Sequence, residues 1–123
     1  MNLSFSASLY DEVSFRSISI DGNSEDAVFI YDIAHVNGDT VFNPFLPHLK
    51  TRPRAVAPDP ATDNGLPPLL TSVNFTSFDS EVTSTGTEKA YIDIAIYQLS
   101  SDCESQDLVG YGRLTSTITI RAA

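Results

Sequence analysis

Every proline of this 123-residue chain, seven in all, lies between Pro44 and Pro68. Proline fixes its own φ and has no amide hydrogen to give to a ladder. The tract NPFLPHLKTRPRAVAPDPATDNGLPP is therefore expected to be a long irregular loop or arm, extended or turning, rather than ordinary sheet. It divides one domain, residues 1–123, into a strand block at 1–43, the proline-rich segment at 44–68 and a second strand block at 69–123. The proline-free flanks are left to build the core.

The flanks carry alternation of period two. Leu3, Phe5, Ala7 and Leu9 alternate with small or polar neighbours, as a strand with one buried face requires. Val13 and Phe15 keep that phase while Ile18 and Ile20 take the other, which predicts a β-bulge near Arg16 and Ser17. Asp21, Gly22 and Asn23 supply turn chemistry. The run AVFIYDIAHV at 27–36 is apolar on both faces and reads as a central strand. Asn37-Gly38 follows it directly, and Asn-Gly between β-prone runs predicts a two-residue hairpin into 39–45. Further strands are expected at 69–78, 82–85, 90–99, 108–114 and 115–121, with 90–99 as a second central strand. No window has helical periodicity. Seven to nine short strands separated by frequent turn signals predict an all-β, single-domain antiparallel β-sandwich or a jelly-roll or Greek-key barrel.

Charge is distributed unevenly. The net charge is -9; residues 1–43 hold seven acids against Arg16, and residues 69–123 hold seven against Lys89, Arg113 and Arg121. Only the proline-rich segment is positive, with Lys50, Arg52 and Arg54 against Asp59 and Asp63. An acidic body repels phosphate backbones, so no nucleic-acid partner is expected. No apolar run approaches the ~20 residues that span a bilayer, and the first residues lack the basic and apolar regions of a signal peptide. The reading is an unexported chain with no membrane partner, cytoplasmic unless it belongs to a virus particle.

Chemistry-bearing residues are sparse. His35 and His48 form no close-spaced ligand pair, and Cys103 is the only cysteine, so neither a metal site nor a disulfide within the chain is expected. Asp102 and Glu104 flank that thiol and disfavour its thiolate. The pairs Asp11-Glu12 and Glu25-Asp26 read as solvated loop charge rather than glycosidase acids. The loops DGNSED and SSDCESQD lack the EF-hand pattern, leaving joint calcium binding as a weaker reading. Asn2 and Asn74 head glycosylation triplets that an unexported chain leaves unused. Nucleophile-elbow, phosphate-loop and dinucleotide signatures are missing. No catalytic role and no cofactor are expected.

The strongest functional signal is the proline-rich segment, because proline lowers the entropy lost on docking and apolar side chains anchor it. Phe45, Leu46, Leu49, Lys50, Arg52 and Arg54 are the expected interaction residues. The expected function is that of a non-enzymatic assembly protein, a homo-oligomer contacting itself or other structural subunits, with a virus or bacteriophage particle (capsid decoration, cement or head–tail protein) as its setting. The alternative is a lectin-like or calcium-assisted ligand-binding sandwich using residues 21–26, residues 101–107 and the tyrosines Tyr10, Tyr31, Tyr91, Tyr97 and Tyr111.

Overall fold

The structure, a computed structural model, describes residues 1–20 and 22–123. Its strands are β1 (Asn2–Ala7), β2 (Glu12–Phe15), β3 (Ala27–Gly38), β4 (Leu46–Asp59), β5 (Gly65–Glu81), β6 (Gly86–Leu99) and β7 (Gln106–Ala122), with no helix among the described residues. They form a four-stranded sheet in the order β1-β7-β6-β3 and a three-stranded sheet in the order β2-β5-β4. The β1–β7 pairing is parallel and the others are antiparallel. The two sheets pack as a β-sandwich, as the alternation of apolar residues predicts.

The core lies between the inner faces. Ala7, Val41, Phe42, Val82, Ile118 and Ile120 form one buried cluster, and Ile33, Phe78, Ala90 and Ile92 form a second. Phe15 and Phe45 pack against both clusters and join them, with ring centres 5.5 Å apart. Burying Ile118, Ile120, Val41 and Val82 contributes roughly 1.5–3 kcal/mol for each side chain. One carboxylate enters this interior. Glu88 is buried, accepts the Val41 amide at 2.8 Å and faces His35 Nδ1 at 3.6 Å, so it ties the segment after β3 to β6.

The proline-rich segment departs from the irregular loop expected of it. Residues 46–59 and 65–81 form β4 and β5, paired as a long antiparallel ribbon. The prolines are tolerated for local reasons. β4 is the edge of its sheet, so Pro47 is on a strand with one side unpaired. Pro53 occupies the register break between Arg52 and Ala55, and Pro58, Pro67 and Pro68 fall at the break between Ala57 and Asp59, where ladder bonds are already interrupted. Pro44 and Pro60 are outside strands.

Five other expectations are corrected. Asn37 and Gly38 end β3 paired with Lys89 and Glu88 of β6, so no hairpin forms there; the positive φ of Gly38, 84°, turns the chain out of the sheet instead. β3 is an edge strand, whereas β6 and β7 are the interior strands of their sheet. No strand runs through residues 16–19, and Ile18 and Ile20 are exposed, so their change of phase marks departure from the sheet rather than a bulge. Of the short strand at 82–85 only an isolated bridge remains, Val82 to Phe42, and the two strands expected after 107 are one, β7. In the turn read at 21–23, Asp21 falls outside the described residues.

Candidate functional site

Period two along β4 places His48, Lys50 and Arg52 on the same side, opposite Ser77, Phe75 and Val73 of β5 in register. The core-facing Phe78 pairs with Pro47 on the other phase, so these basic side chains point away from the sandwich interior. Arg16, just past β2, joins them. Together Arg16, His48, Lys50, Arg52, Phe75 and Ser77 line a cleft of about 290 Å³. The Arg52 guanidinium carbon is 5.9 Å from the Phe75 ring centre, at the outer reach of a cation–π contact. At the end of the cleft the Ser14 hydroxyl, then Ser77 and the charges of His48 and Arg16, hold the Asp79 carboxyl below its usual range.

These cations make no close ion pair among the described residues. Among the described residues Arg113–Asp93 is the ion pair within 4 Å and His35 Nδ1 stands 3.6 Å from Glu88, so Arg16, Lys50, Arg52 and Arg54 take part in neither contact. Four of the chain's seven Lys and Arg residues thus lie around one sheet of a protein with net charge -9 without an ion pair within 4 Å among the described residues, Arg16 acting on Asp79 at longer range. The six residues predicted from sequence divide by position. Lys50 and Arg52 enter the cleft; Leu46, Leu49 and Arg54 are exposed on β4. Phe45 instead belongs to the core, packed edge-on to Phe15 and 5.1 Å from Phe42. Arg16 joins through a tertiary approach that no local pattern marks, whereas His48 follows from period two with Lys50 and Arg52 once residues 46–59 are known to be a strand.

A second surface is the outer face of the four-stranded sheet. Phe29 and Tyr31 of β3, Tyr97 of β6 and Tyr111 of β7 surround a shallow hollow, with edge-on pairs Phe29–Tyr97 at 6.1 Å and Tyr31–Tyr111 at 5.6 Å. Beside it Arg113 lies 4.3 Å over the Tyr91 ring and donates to both oxygens of Asp93, at 2.7 and 3.1 Å. That bidentate pair depresses the Asp93 pKa, the hydrogen bond from Arg113 being the main cause. Tyr10 is elsewhere, in the turn after β1 with φ 70°.

The two acidic loops meet at one end of the sandwich. The Gln106 side-chain amide donates to the carbonyl oxygens of Asn23 and Glu25 at 2.9 and 2.5 Å, bringing Glu25 close to the turn that carries Asp102 and Glu104. No group of three or more His, Cys, Asp or Glu among the described residues is arranged to hold a metal ion. Cys103 is exposed in the β6–β7 turn, whereas His35 pairs with Glu88 near the start of β6; most of that strand, roughly 35 Å at 3.3 Å per residue, separates them. A Cys–His nucleophile built from these residues is thereby excluded. Among the described residues no helix is long and apolar enough to cross a membrane.

Comparison with known proteins supplies the family. The family model described as PixA, inclusion body protein, matches residues 1–120, and the chain belongs to that family. The crystal structure of an inclusion body protein (PixA) from Burkholderia cenocepacia J2315 superposes with a TM-score of 0.75 at 28% sequence identity. The match covers 94% of this chain but 63% of the Burkholderia protein, so the chain spans less than two-thirds of that protein's length. No curated protein matches. The family match corrects the expected virion or bacteriophage setting, and it lends no support to the lectin-like or calcium-assisted alternative. A small, threonine-rich β chain without catalytic motifs fits a phage particle and a bacterial inclusion equally well; no residue pattern in it separates the two.

Proposed function

We propose that this member of the PixA inclusion body protein family is a non-enzymatic structural protein whose copies associate into cytoplasmic inclusions, with the β4–β5 ribbon as the principal contact surface. The observation that carries the reading is the ribbon itself. It presents Leu46 and Leu49, 67% and 78% exposed, beside unpaired Lys50, Arg52 and Arg54 on an otherwise acidic molecule. Exposed leucines rimmed by charge lose water on contact with another subunit, and the unpaired cations set which surface is accepted. Phe45, from the core, fixes the start of β4 and so the direction in which the ribbon leaves the sandwich.

The test compares the wild-type chain with the double variant Leu46→Ser/Leu49→Ser by sedimentation and by microscopy of expressing cells. Both leucines are exposed, so the variant's circular dichroism should remain that of the wild type. The wild type should form large assemblies in solution and discrete bodies in cells, while the variant stays dispersed. A wild-type chain that remains monomeric at high concentration and diffuse in cells would overturn the reading.

A further inference from the structure

We infer that the basic cleft on the β2-β5-β4 sheet receives the acidic β6–β7 turn of a second copy, giving a head-to-tail contact that propagates. The inference rests on the self-association just proposed and names the two surfaces that meet.

The cleft is built for negative charge. Arg16, Lys50 and Arg52 line it, none of the three has a carboxylate within 4 Å among the described residues although Arg16 acts on Asp79 at longer range, and Phe75 gives it an apolar wall. At about 290 Å³ it admits a few side chains rather than a folded surface, so its occupant must project. The β6–β7 turn, residues 100–105, joins two strands at the end of their sheet with residues 101–105 exposed, and Asp102, Glu104 and the adjoining Asp107 make no ion pair among the described residues. The turn is also held in shape. The Ser100 hydroxyl donates to Asp102, the Glu104 amide donates to Asp102 Oδ1 at 3.0 Å, and the Cys103 amide donates to the Ser100 carbonyl at 2.9 Å. Gln106 anchors it to the loop carrying Glu25. A turn already ordered gives up little conformational freedom on docking, so more of the charge attraction remains as affinity. Cleft and turn are different patches of one chain, and their contact is heterologous; unless its rotation closes a ring, it extends into an open array.

Charge reversal with complementation tests the pairing. In one variant Lys50→Glu and Arg52→Glu make the cleft acidic; in the other Asp102→Lys, Glu104→Lys and Asp107→Lys make the turn basic. Each variant alone then sets like charge against like. With each variant folded by circular dichroism, its critical concentration for assembly should rise about tenfold or more above that of the wild type, since like-charge contacts cost several kcal/mol. Mixed in equal amounts, the acidic cleft meets the basic turn and the acidic turn meets the basic cleft, so assembly should return with both variants in the pellet. Wild-type assembly by either variant alone, or failure of the mixture to recover, overturns the pairing while leaving self-association itself intact. Tight binding of inorganic phosphate in the cleft of the wild type, displacing no neighbour from the assembly, would assign the cleft to a free anion and overturn it likewise. If the wild type does not assemble at all, it is the underlying function that fails.

Discussion

Gly38 ends β3 at φ 84°, and a Cβ added there would stand 2.6 Å from the Thr87 carbonyl oxygen. Both facts act against any side chain, one through the backbone and one through the neighbouring strand. Gly38→Val should lower stability by about 2 kcal/mol or more, read from the urea midpoint; a wild-type midpoint would show that neither constraint matters. The glycine was legible in the sequence as a positive-φ position, but its use was not. Asn-Gly announces such a backbone without saying whether the chain reverses onto itself or leaves a sheet whose partner is fifty residues away. Asp93 gives a second residue-scale test. Its folded pKa is depressed by Arg113, so its contribution is present above the unfolded carboxylate value and lost as pH falls through the folded one. Asp93→Asn should therefore melt below the wild type at neutral pH, with the difference shrinking as pH falls below about 4. A difference independent of pH would assign the effect to packing alone.

At the scale of the element, the β4–β5 ribbon divides into a root and a distal part. Phe78 and Ser80 are buried at the root, whereas no residue of 53–72 is buried. Joining the register partners Arg52 and Val73 through Asn-Gly in place of residues 53–72 should leave a folded sandwich with stability within about 1 kcal/mol of wild type, because closing the shorter loop changes the entropy only slowly with length. Loss of the β-sheet dichroism in that variant would mean that the distal ribbon takes part in folding. The same element shows where sequence reading reached its limit. Period two made β1, β2, β6 and much of β7 legible, since each has one buried face. In β4 residues 46–54 are exposed on both faces and five of the seven prolines fall within β4 and β5, so neither alternation nor propensity marks a strand. Proline forbids a central ladder, not an edge or a register break, and a single sequence does not show which strand is the edge. The candidate site was half legible for the same reason. Lys50 and Arg52 stand out as part of the only positive stretch, but the approach of Arg16 depends on β2 pairing with β5, the place of His48 beside them depends on residues 46–59 being a strand, and Phe45 reads as an anchor because its burial is tertiary.

For the whole molecule, two electrostatic effects of opposite sign act on association. Each copy carries -9 and repels every other copy over the Debye length, about 30 Å at 0.01 M salt, which exceeds the thickness of the sandwich. The proposed contact of the basic cleft with an acidic turn is attractive but acts across a few ångströms. At about 0.15 M salt the Debye length falls to about 8 Å, so most of the repulsion between bodies is screened while charges in direct contact still attract. At 1 M it is about 3 Å, and the contact itself weakens. Assembly followed by turbidity and sedimentation in sodium chloride should thus pass through a maximum at intermediate salt. The Lys50→Glu/Arg52→Glu variant has no attraction to lose, so its assembly should only rise with salt or remain undetectable. A wild type whose assembly increases steadily to 1 M would place the driving force in Leu46, Leu49 and the other exposed apolar side chains, and remove the cleft from the account of how copies meet.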